Sequence, residues 1–444
     1  NYSVEIEVTQ VGVYTLQASV YWQENGLSNA QHFYTYLAVT EEGSQVSKSP
    51  MPVTQIQQLE PIRKSSGLRQ SNRTTVNPPQ VHLHGQICYF DDNQRKEVPI
   101  RRVLVRLFEQ NTFQPDGEIE TTETDNDGSY DFPAIENIDP EDGTRRDLYV
   151  IIAFENGALK LTNESGVRYQ FQSTTLVNVD LEDAEIDFSL NSSHQQRAAG
   201  HIFNAIQDEY EFVQKNGAWQ RSQIQVKWPA KDFNSAAFFP DDDFILISTD
   251  LQWERPAMLH EYGHAIMYAA YGNNFPKTNR SGDHFIFTVS DAGFALTEGW
   301  AEFMEAVVDD SAFNLRERLD REVPNVETND WWRGGPAGRG NNTRGEIVEG
   351  AVASILWDIA DTPSSIDHQP GVDDDKIANQ FPRIWRMLIE DKPQSVTGFW
   401  NGWLKRGYGS VVELRDIYFD HGIVLPLPPT ISTERVVSIP ADVS

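Results

Sequence analysis

The sequence predicts a multidomain chain in which all-β modules are followed by a mainly helical α+β domain. Apolar and polar residues alternate along residues 1–49 and along several segments of residues 81–191, as they do in half-buried strands. Along residues 192–424 the apolar residues recur at the three- and four-residue spacing of amphipathic helices. Residues 50–80 are rich in Pro, Ser, Gln and Arg and lack periodicity, so we expect a linker there.

The two β-rich parts differ in length and in what they predict. Residues 1–49 contain short alternating segments such as Val13–Tyr21, which predict a small Ig-like module, whole or partial. Residues 81–191 predict a β-sandwich, because strand-like segments there are separated by turns. The clearest of these segments are Leu83–Tyr89, Arg102–Phe108 and Leu148–Phe154.

The segment Glu120–Phe132 reads E-T-T-E-T-D-N-D-G-S-Y-D-F. It resembles the T-x-T-D-x-D-G-x-Y-x-F hairpin of transthyretin-like modules, which include the regulatory-like domain of carboxypeptidases. The resemblance implies a transthyretin-like sandwich for residues 81–191 and no chemistry. Asp125–Asp127 also resembles the opening of a calcium loop, but the bidentate glutamate of such loops is missing, since Ile135 and Glu136 straddle its place. We therefore favour a plain turn over a structural Ca²⁺ site.

Two histidines lie on the strand predicted to begin this sandwich. His82 and His84 are two residues apart, so they project from the same face of a strand. They could share a metal ion, but ordinary strand surface is the interpretation that we favour.

The pattern H-E-x-x-H occurs at His260–His264 inside a predicted helix. Histidines four residues apart lie on one helix face, so His260 and His264 can reach a single zinc ion. Glu261 can then hold the zinc-bound water and take its proton. The helix is expected from Pro256, a residue favoured in the first turn, to Gly272, a residue favoured just after the end.

A short strand, Phe244–Ser248, precedes this helix, and we expect it to be the edge along which an extended substrate binds. A second apolar-periodic helix is predicted over residues 295–308, capped by Ser290 or Asp291. Three glutamates share one face of that helix, where burial is costly unless they meet a cation or water. They are Glu298, Glu302 and Glu305.

The run Thr297–Glu302 reads T-E-G-W-A-E. It resembles the N-E-G-F-A-E segment of aminopeptidase-type gluzincins and the N-E-x-x-x-D segment of thermolysin-like ones. This resemblance implies that Glu298 is the third zinc ligand and that Glu302 hydrogen-bonds to a ligand histidine and fixes its tautomer. Residues 273–291 would be an insertion relative to thermolysin.

The segment Glu346–Ile359 resembles the late helix of thermolysin- and fungalysin-like enzymes. Those families place a histidine just before this helix, where it donates a hydrogen bond to the oxyanion. The matching position here is Glu346, which cannot donate when it is ionised. Arg344, Tyr408 and His284 are the candidate substitutes, and the sequence does not choose between them.

Composition narrows the class of partners. The net charge is −30, from 66 acidic and 36 basic residues, which argues against nucleic acids and anionic membranes. Cys88 is the single cysteine, so no internal disulfide can form, and no apolar run is long enough to insert into a membrane. The chain begins with Asn1 rather than Met, which fits either removal of a signal peptide or a trimmed sequence. From the acidic balance we expect a secreted or cell-surface protein of bacterial origin.

These patterns lead to one hypothesis and two alternatives. The hypothesis is a secreted or cell-surface zinc endopeptidase with one catalytic Zn²⁺, a zincin-type domain at residues 192–424 and a Pro-rich tail at 425–444. It cleaves protein or peptide substrates with a zinc-bound water and a glutamate base. One alternative is a surface adhesin with a degenerate zincin domain. The other is an aminopeptidase in which Glu302 or Glu305 captures the free N-terminus. The sequence leaves cleavage preference and oligomeric state open.

Overall fold

The structure is a computed structural model. It describes residues 79–111, 114–282, 284–313, 324–327, 345–361 and 376–426, and the backbone of strands between residues 12 and 46. The chain divides into two compact units, Asn1–Val76 and Asn77–Ser444. The predicted tail from residue 427 onward and Arg344 lie outside the described residues.

The first unit contains an antiparallel sheet in the order β1-β2-β3. Its strands are β1 (Gly12–Glu24), β2 (Leu27–Thr40) and β3 (Gly43–Val46). Gly12 of β1 pairs with Val39 of β2, and Thr40 pairs with Gly43 of β3, so the strands follow one another as hairpins. The expected strand Val13–Tyr21 lies within β1, and the assignment to an Ig-like module stays a prediction.

The second unit begins with a series of strands between residues 80 and 190, three of which overlap the segments singled out from the sequence, Leu83–Tyr89, Arg102–Phe108 and Leu148–Phe154. These strands are β4 (Gln80–Asp91), β5 (Lys96–Pro99), β6 (Leu104–Glu109), β7 (Gly117–Glu123), β8 (Ser129–Asp131), β9 (Ile135–Glu136), β10 (Leu148–Ala153), β11 (Leu159–Thr162), β12 (Gln170–Gln172), β13 (Asp183–Glu185) and β14 (Phe188–Leu190). One sheet has the strand order β12-β10-β6-β7. In the other sheet, β4 is the strand with which all the others pair. The strands β13 and β14 are parallel to it, and β5, β8 and β9 are antiparallel. The transthyretin-like assignment stays a prediction.

The turn before β8 is held by its own side chains. Oδ1 of Asp125 accepts hydrogen bonds from the backbone N–H groups of Asp127 (3.1 Å) and Ser129 (3.0 Å). Gly128 has a φ of 79°, a conformation that favours glycine. This hydrogen bonding is that of a plain turn.

Residues beyond 192 form a third sheet and a group of helices. The strands are β15 (Ile224–Ala230), β16 (Ala236–Phe239) and β17 (Phe244–Ser248). The sheet order is β11-β15-β17-β16, in which β11, β15 and β17 are parallel and β16 is antiparallel. Because β11 pairs with β15, residue 192 does not separate two compact units. The predicted edge strand, Phe244–Ser248, is also not at the edge, since β17 pairs on both sides and β16 lies outermost.

The helices agree closely with the apolar periodicity. They are α1 (Ala198–Gly217), α2 (Arg255–Ala270), α3 (Ala292–Asp309), α4 (Glu349–Ala360), α5 (Phe381–Asp391), α6 (Val396–Lys405) and α7 (Val411–Asp420). Of the two caps predicted for α3, Ser290 and Asp291, the structure has Asp291, whose Oδ1 accepts from the N–H groups of Gly293 (3.1 Å) and Phe294 (2.9 Å). The helix predicted from Glu346 instead begins at Glu349, after a 3₁₀ turn over Gly345–Ile347.

Two glycines let the helices that carry the acidic and histidine residues approach closely. A Cβ added at Gly263 of α2 would lie 3.2 Å from Cβ of Met304 and 3.3 Å from Cα of Ala301, both on α3. A Cβ at Gly299 of α3 would lie 2.6 Å from the backbone oxygen of Glu349, the first residue of α4. The α2–α3 contact is reinforced by Trp300, whose Nε1 donates to the backbone oxygen of Gly263 (3.2 Å).

Candidate metal centre

Helices α2 and α3 bring the predicted zinc ligands together. Nε2 of His264 lies 3.1 Å from Nε2 of His260 and 3.1 Å from Oε2 of Glu298, and the distance from His260 Nε2 to the same oxygen is 3.4 Å. Tetrahedral zinc with bonds of about 2.0–2.1 Å places its ligand atoms about 3.3–3.4 Å apart. All three residues are buried. The three atoms therefore form one face of a tetrahedron that fits Zn²⁺.

The electrostatics of these residues also fit a cation. Oε2 of Glu298 is buried and makes no hydrogen bond of good geometry among the described residues, although the ring nitrogens of His260 and His264 lie within 3.4 Å of it. Burial alone would lower the pKa of His264, but the negative charge of Glu298 raises it. Burial alone would raise the pKa of Glu298, yet the charge of His264 holds it well below its usual range.

The carboxylate that orients His260 is Glu305. Its Oε1 lies 2.7 Å from Nδ1 of His260, within hydrogen-bond distance, whereas Oε1 of Glu302 lies 3.7 Å from the same nitrogen. The structure therefore places Glu305 nearer than Glu302 to Nδ1 of His260, and the role that the resemblance implies for Glu302 stays a prediction. Both glutamates are buried on the face of α3 turned toward α2, and they lie three residues apart. A proton fixed on Nδ1 leaves Nε2 of His260 available as a ligand.

Glu261, the proposed base, is held by the edge strand. Its Oε2 accepts a hydrogen bond from the backbone N–H of Phe238 on β16 (2.8 Å). Phe238 lies opposite Ile245 of β17 but directs its N–H to Glu261. This N–H therefore lies on the open side of β16, the side that faces away from β17. Sequence reasoning missed this strand, although the apolar run Ala236–Phe239 before an acidic turn was a usable signal.

His284 is the candidate oxyanion donor that the structure places at the centre. Its Nε2 lies 3.4 Å from Oε2 of Glu298, and its Nδ1 lies 2.9 Å from Oε2 of Glu349. The imidazole also meets the ring of Phe294 edge to face, with centroids 5.1 Å apart. Glu349 was not predicted to be functional, and its place at the start of α4 gave no signal beyond its charge.

Tyr408, another oxyanion candidate, is not at the centre. Tyr408 packs edge to face on Trp403, with centroids 5.2 Å apart, and lies under the guanidinium of Arg383. Arg344 lies outside the described residues. Glu346, at the position where related families carry histidine, accepts a hydrogen bond from Oγ1 of Thr397 (3.2 Å).

Comparisons with solved structures find distant similarity. A 9R-lipoxygenase from Cyanothece PCC8801 has 10% sequence identity and a TM-score of 0.20, over 54% of this chain and 26% of the lipoxygenase. The major plantain pollen allergen Pla l 1 has 13% identity and a TM-score of 0.17, over 26% of this chain and 94% of the allergen. This chain thus spans only about a quarter of the lipoxygenase, and TM-scores this low carry no inference. No curated protein matches the chain.

The described helices include none that is both long enough and apolar enough to cross a membrane.

A protein-family model matches part of the sequence. Residues 208–407 match the mycolysin C-terminal domain, a stretch that begins within α1 and ends just beyond α6. Every residue of the candidate metal centre falls within this stretch. The match points to a peptidase and fits a zinc metallopeptidase.

Proposed function

We propose that this chain is a secreted or cell-surface zinc endopeptidase of the gluzincin type. The observation that carries the proposal is the convergence of His260, His264 and Glu298, whose ligand atoms are separated by 3.1–3.4 Å. A set of two imidazole nitrogens and one carboxylate oxygen is typical of catalytic zinc, where a fourth position stays open. The mycolysin match over residues 208–407 supports the same chemistry.

The residues around the metal have separate roles in peptide hydrolysis. A bound Zn²⁺ would supply Lewis acidity, which lowers the pKa of water and polarises the scissile carbonyl. Glu261 takes a proton from the attacking water and passes it to the leaving amine. The hydrogen bond from Phe238 fixes the Glu261 carboxylate against the edge strand, so the base does not have to be oriented during the reaction.

His284 is proposed to stabilise the oxyanion. Oε2 of Glu349 holds one ring nitrogen, which turns Nε2 toward the metal-ligand side of the site. A hydrogen on Nε2 is then directed toward the developing oxyanion, to which it donates. Glu349 therefore acts as a positioning residue.

The open side of β16 is proposed to bind the substrate backbone. Zinc peptidases of this kind hold an extended peptide by adding it to a sheet edge. β16 is the outermost strand of its sheet and touches the base through Phe238 and Glu261. A peptide paired with β16 would place its scissile bond beside α2. This geometry favours a protein or peptide substrate bound on both sides of the cleaved bond.

The experiment that tests this proposal combines metal analysis with proteolysis. Zinc content is measured in the purified protein, and casein cleavage is followed before and after treatment with 1,10-phenanthroline and after zinc is restored. Zinc-dependent cleavage that is lost with the chelator and returns with the metal is the expected result. Bound zinc with release of only N-terminal residues would support the aminopeptidase. Target binding without zinc and without cleavage would support the adhesin.

A further inference from the structure

The sandwich carries a second group of side chains with metal-ligating chemistry. His82 Nδ1 lies 2.8 Å from Oδ1 of Asp183, and His84 Nε2 lies 3.3 Å from the same oxygen. The ligand atoms of these three residues all lie within 4.8 Å of one another. About a third of each imidazole is exposed, so solvent ions can reach the group.

Strand register explains why these residues meet. His82 and His84 alternate with buried residues of β4, and therefore project from its outer face. The parallel strand β13 places Asp183 opposite His82, and the antiparallel strand β8 places Asp131 opposite His84. Residues directly opposite one another on paired strands share a face of the sheet. Four side chains from three strands are therefore fixed on one face.

The contacts of the two ring nitrogens of His82 are those expected of a metal-binding histidine that is also hydrogen-bonded to a carboxylate. If Nδ1 of His82 takes the ligand position beside Asp183, its Nε2 is left to donate to Asp131, whose oxygens lie 3.0 Å away. A carboxylate on the second ring nitrogen is the usual partner of a metal-bound histidine, because it fixes the tautomer and raises the basicity of the ligand nitrogen.

A strongly acidic groove of about 600 Å³ adjoins this group. Besides His84 and Asp131, its lining includes the acidic residues Glu123, Asp125, Glu185 and Asp187. A concave surface lined by one sign of charge raises the local concentration of counter-ions. The negative electrostatic potential of the groove therefore favours the approach of a cation to His84.

We propose that His82, His84 and Asp183 bind a divalent transition metal of the zinc class, with Asp131 orienting His82. Two imidazole nitrogens favour Zn²⁺ and its neighbours over Ca²⁺ and Mg²⁺, which prefer oxygen ligands. The ion would join β13, a strand of only three residues, to β4, the strand that carries both histidines. This site is separate from the candidate centre at His260, and its role is structural.

The test uses the full chain and keeps the two sites apart. Zinc bound at equilibrium is counted by dialysis in a H260N/H264N variant, and then in the same background with H82N/H84N added. We expect the first variant to bind one more zinc ion per chain than the second, and to show a zinc-dependent rise in Tm that the second lacks. Equal zinc content and equal Tm shifts would overturn the proposal. Because both variants lack the α2 histidines, failure of the peptidase proposal does not affect this comparison.

A single substitution covers the case in which the quadruple variant does not fold. Asp183→Asn in the H260N/H264N background should weaken zinc binding by at least about tenfold, because a ligand oxygen loses its charge. The matched control is Glu136→Gln, an exposed acid on β9 that also pairs with β4 but does not line the groove, which should change affinity little. Equal losses at the two positions would show that only the acidic field attracts the ion, and would contradict a ligand role for Asp183.

Discussion

Oε1 of Glu305 lies 2.7 Å from Nδ1 of His260, and this contact joins α3 to the face of α2 that carries the candidate metal ligands. The contact is fully buried, with both side chains at most about one-twentieth exposed. It sets which nitrogen of His260 carries the proton, and therefore which nitrogen can bind a metal. Metal affinity should depend on this carboxylate even though it is not a ligand.

Replacing Glu305 by Gln should weaken zinc binding by about 10- to 100-fold, because the amide no longer raises the basicity of His260. Zinc affinity is measured by competition with a chromophoric chelator, and circular dichroism checks the fold. Glu302→Gln is the matched control, since Glu302 lies one turn away on the same buried face. The geometry predicts the smaller loss at Glu302, so a larger loss there would restore the interpretation drawn from the sequence.

Glu261→Gln should retain zinc and reduce kcat/KM by about 10²- to 10⁴-fold, because the amide cannot take the proton of the attacking water. The amide oxygen can still accept from the N–H of Phe238, so the position of the side chain should be preserved. The measurement pairs zinc content with peptide hydrolysis. Glu254→Gln, an exposed position just before α2, is the control for lost charge. Full activity in Glu261→Gln would exclude Glu261 as the base.

His284→Ala should lower kcat by about 10²- to 10³-fold and leave KM nearly unchanged, because an oxyanion donor acts mainly in the transition state. Tyr408→Phe is the control, since the Tyr408 ring packs on Trp403, away from the metal ligands. Glu349→Gln should give a smaller loss and a shifted pH profile, as expected of a positioning residue. A loss confined to Tyr408→Phe would transfer the role to that residue.

Local signals in the sequence were sufficient for the helices that carry the centre. The spacing of His260 and His264 depends only on helix geometry, and Asp291 caps α3 with its own side chain. The identification of Glu298 as a ligand came from resemblance, and the structure places its Oε2 beside both histidines. The histidine spacing and the cap depend on residues close together in the chain, so tertiary packing had little opportunity to override them.

The remaining features depend on long-range packing. Glu302 and Glu305 both face α2, and the approach of the helices at Gly263 decides which of them reaches His260. Likewise, Phe244–Ser248 reads as a strand, but only pairing with β15 and β16 shows that it is not an edge. The pairing of β11 with β15 crosses the predicted boundary at residue 192 for the same reason. Strand partners far apart in sequence cannot be read from local periodicity.

Glu209 of α1 is predicted to destabilise the fold as the pH rises. Its side chain is completely buried, and neither carboxylate oxygen has a hydrogen-bond partner among the described residues. Burial raises its pKa well above the usual range, an effect that Asp309 reinforces and Arg255 opposes. The stability that the neutral carboxyl contributes is fully present below its unfolded-state pKa of about 4.3. It is lost as the pH rises through the raised folded-state pKa.

Glu209→Gln should therefore be more stable than the natural chain at neutral pH, by a margin that shrinks as the pH falls toward the unfolded-state pKa. The reason is that the amide is neutral at every pH, whereas the carboxyl must ionise at a buried position or remain protonated at a free-energy cost. Urea unfolding is measured for both proteins at intervals from about pH 5 to pH 8. Glu254→Gln removes the same charge at an exposed position and should leave the pH dependence unchanged. A Glu209→Gln variant that is less stable at every pH would show that the ionised carboxylate has a stabilising partner.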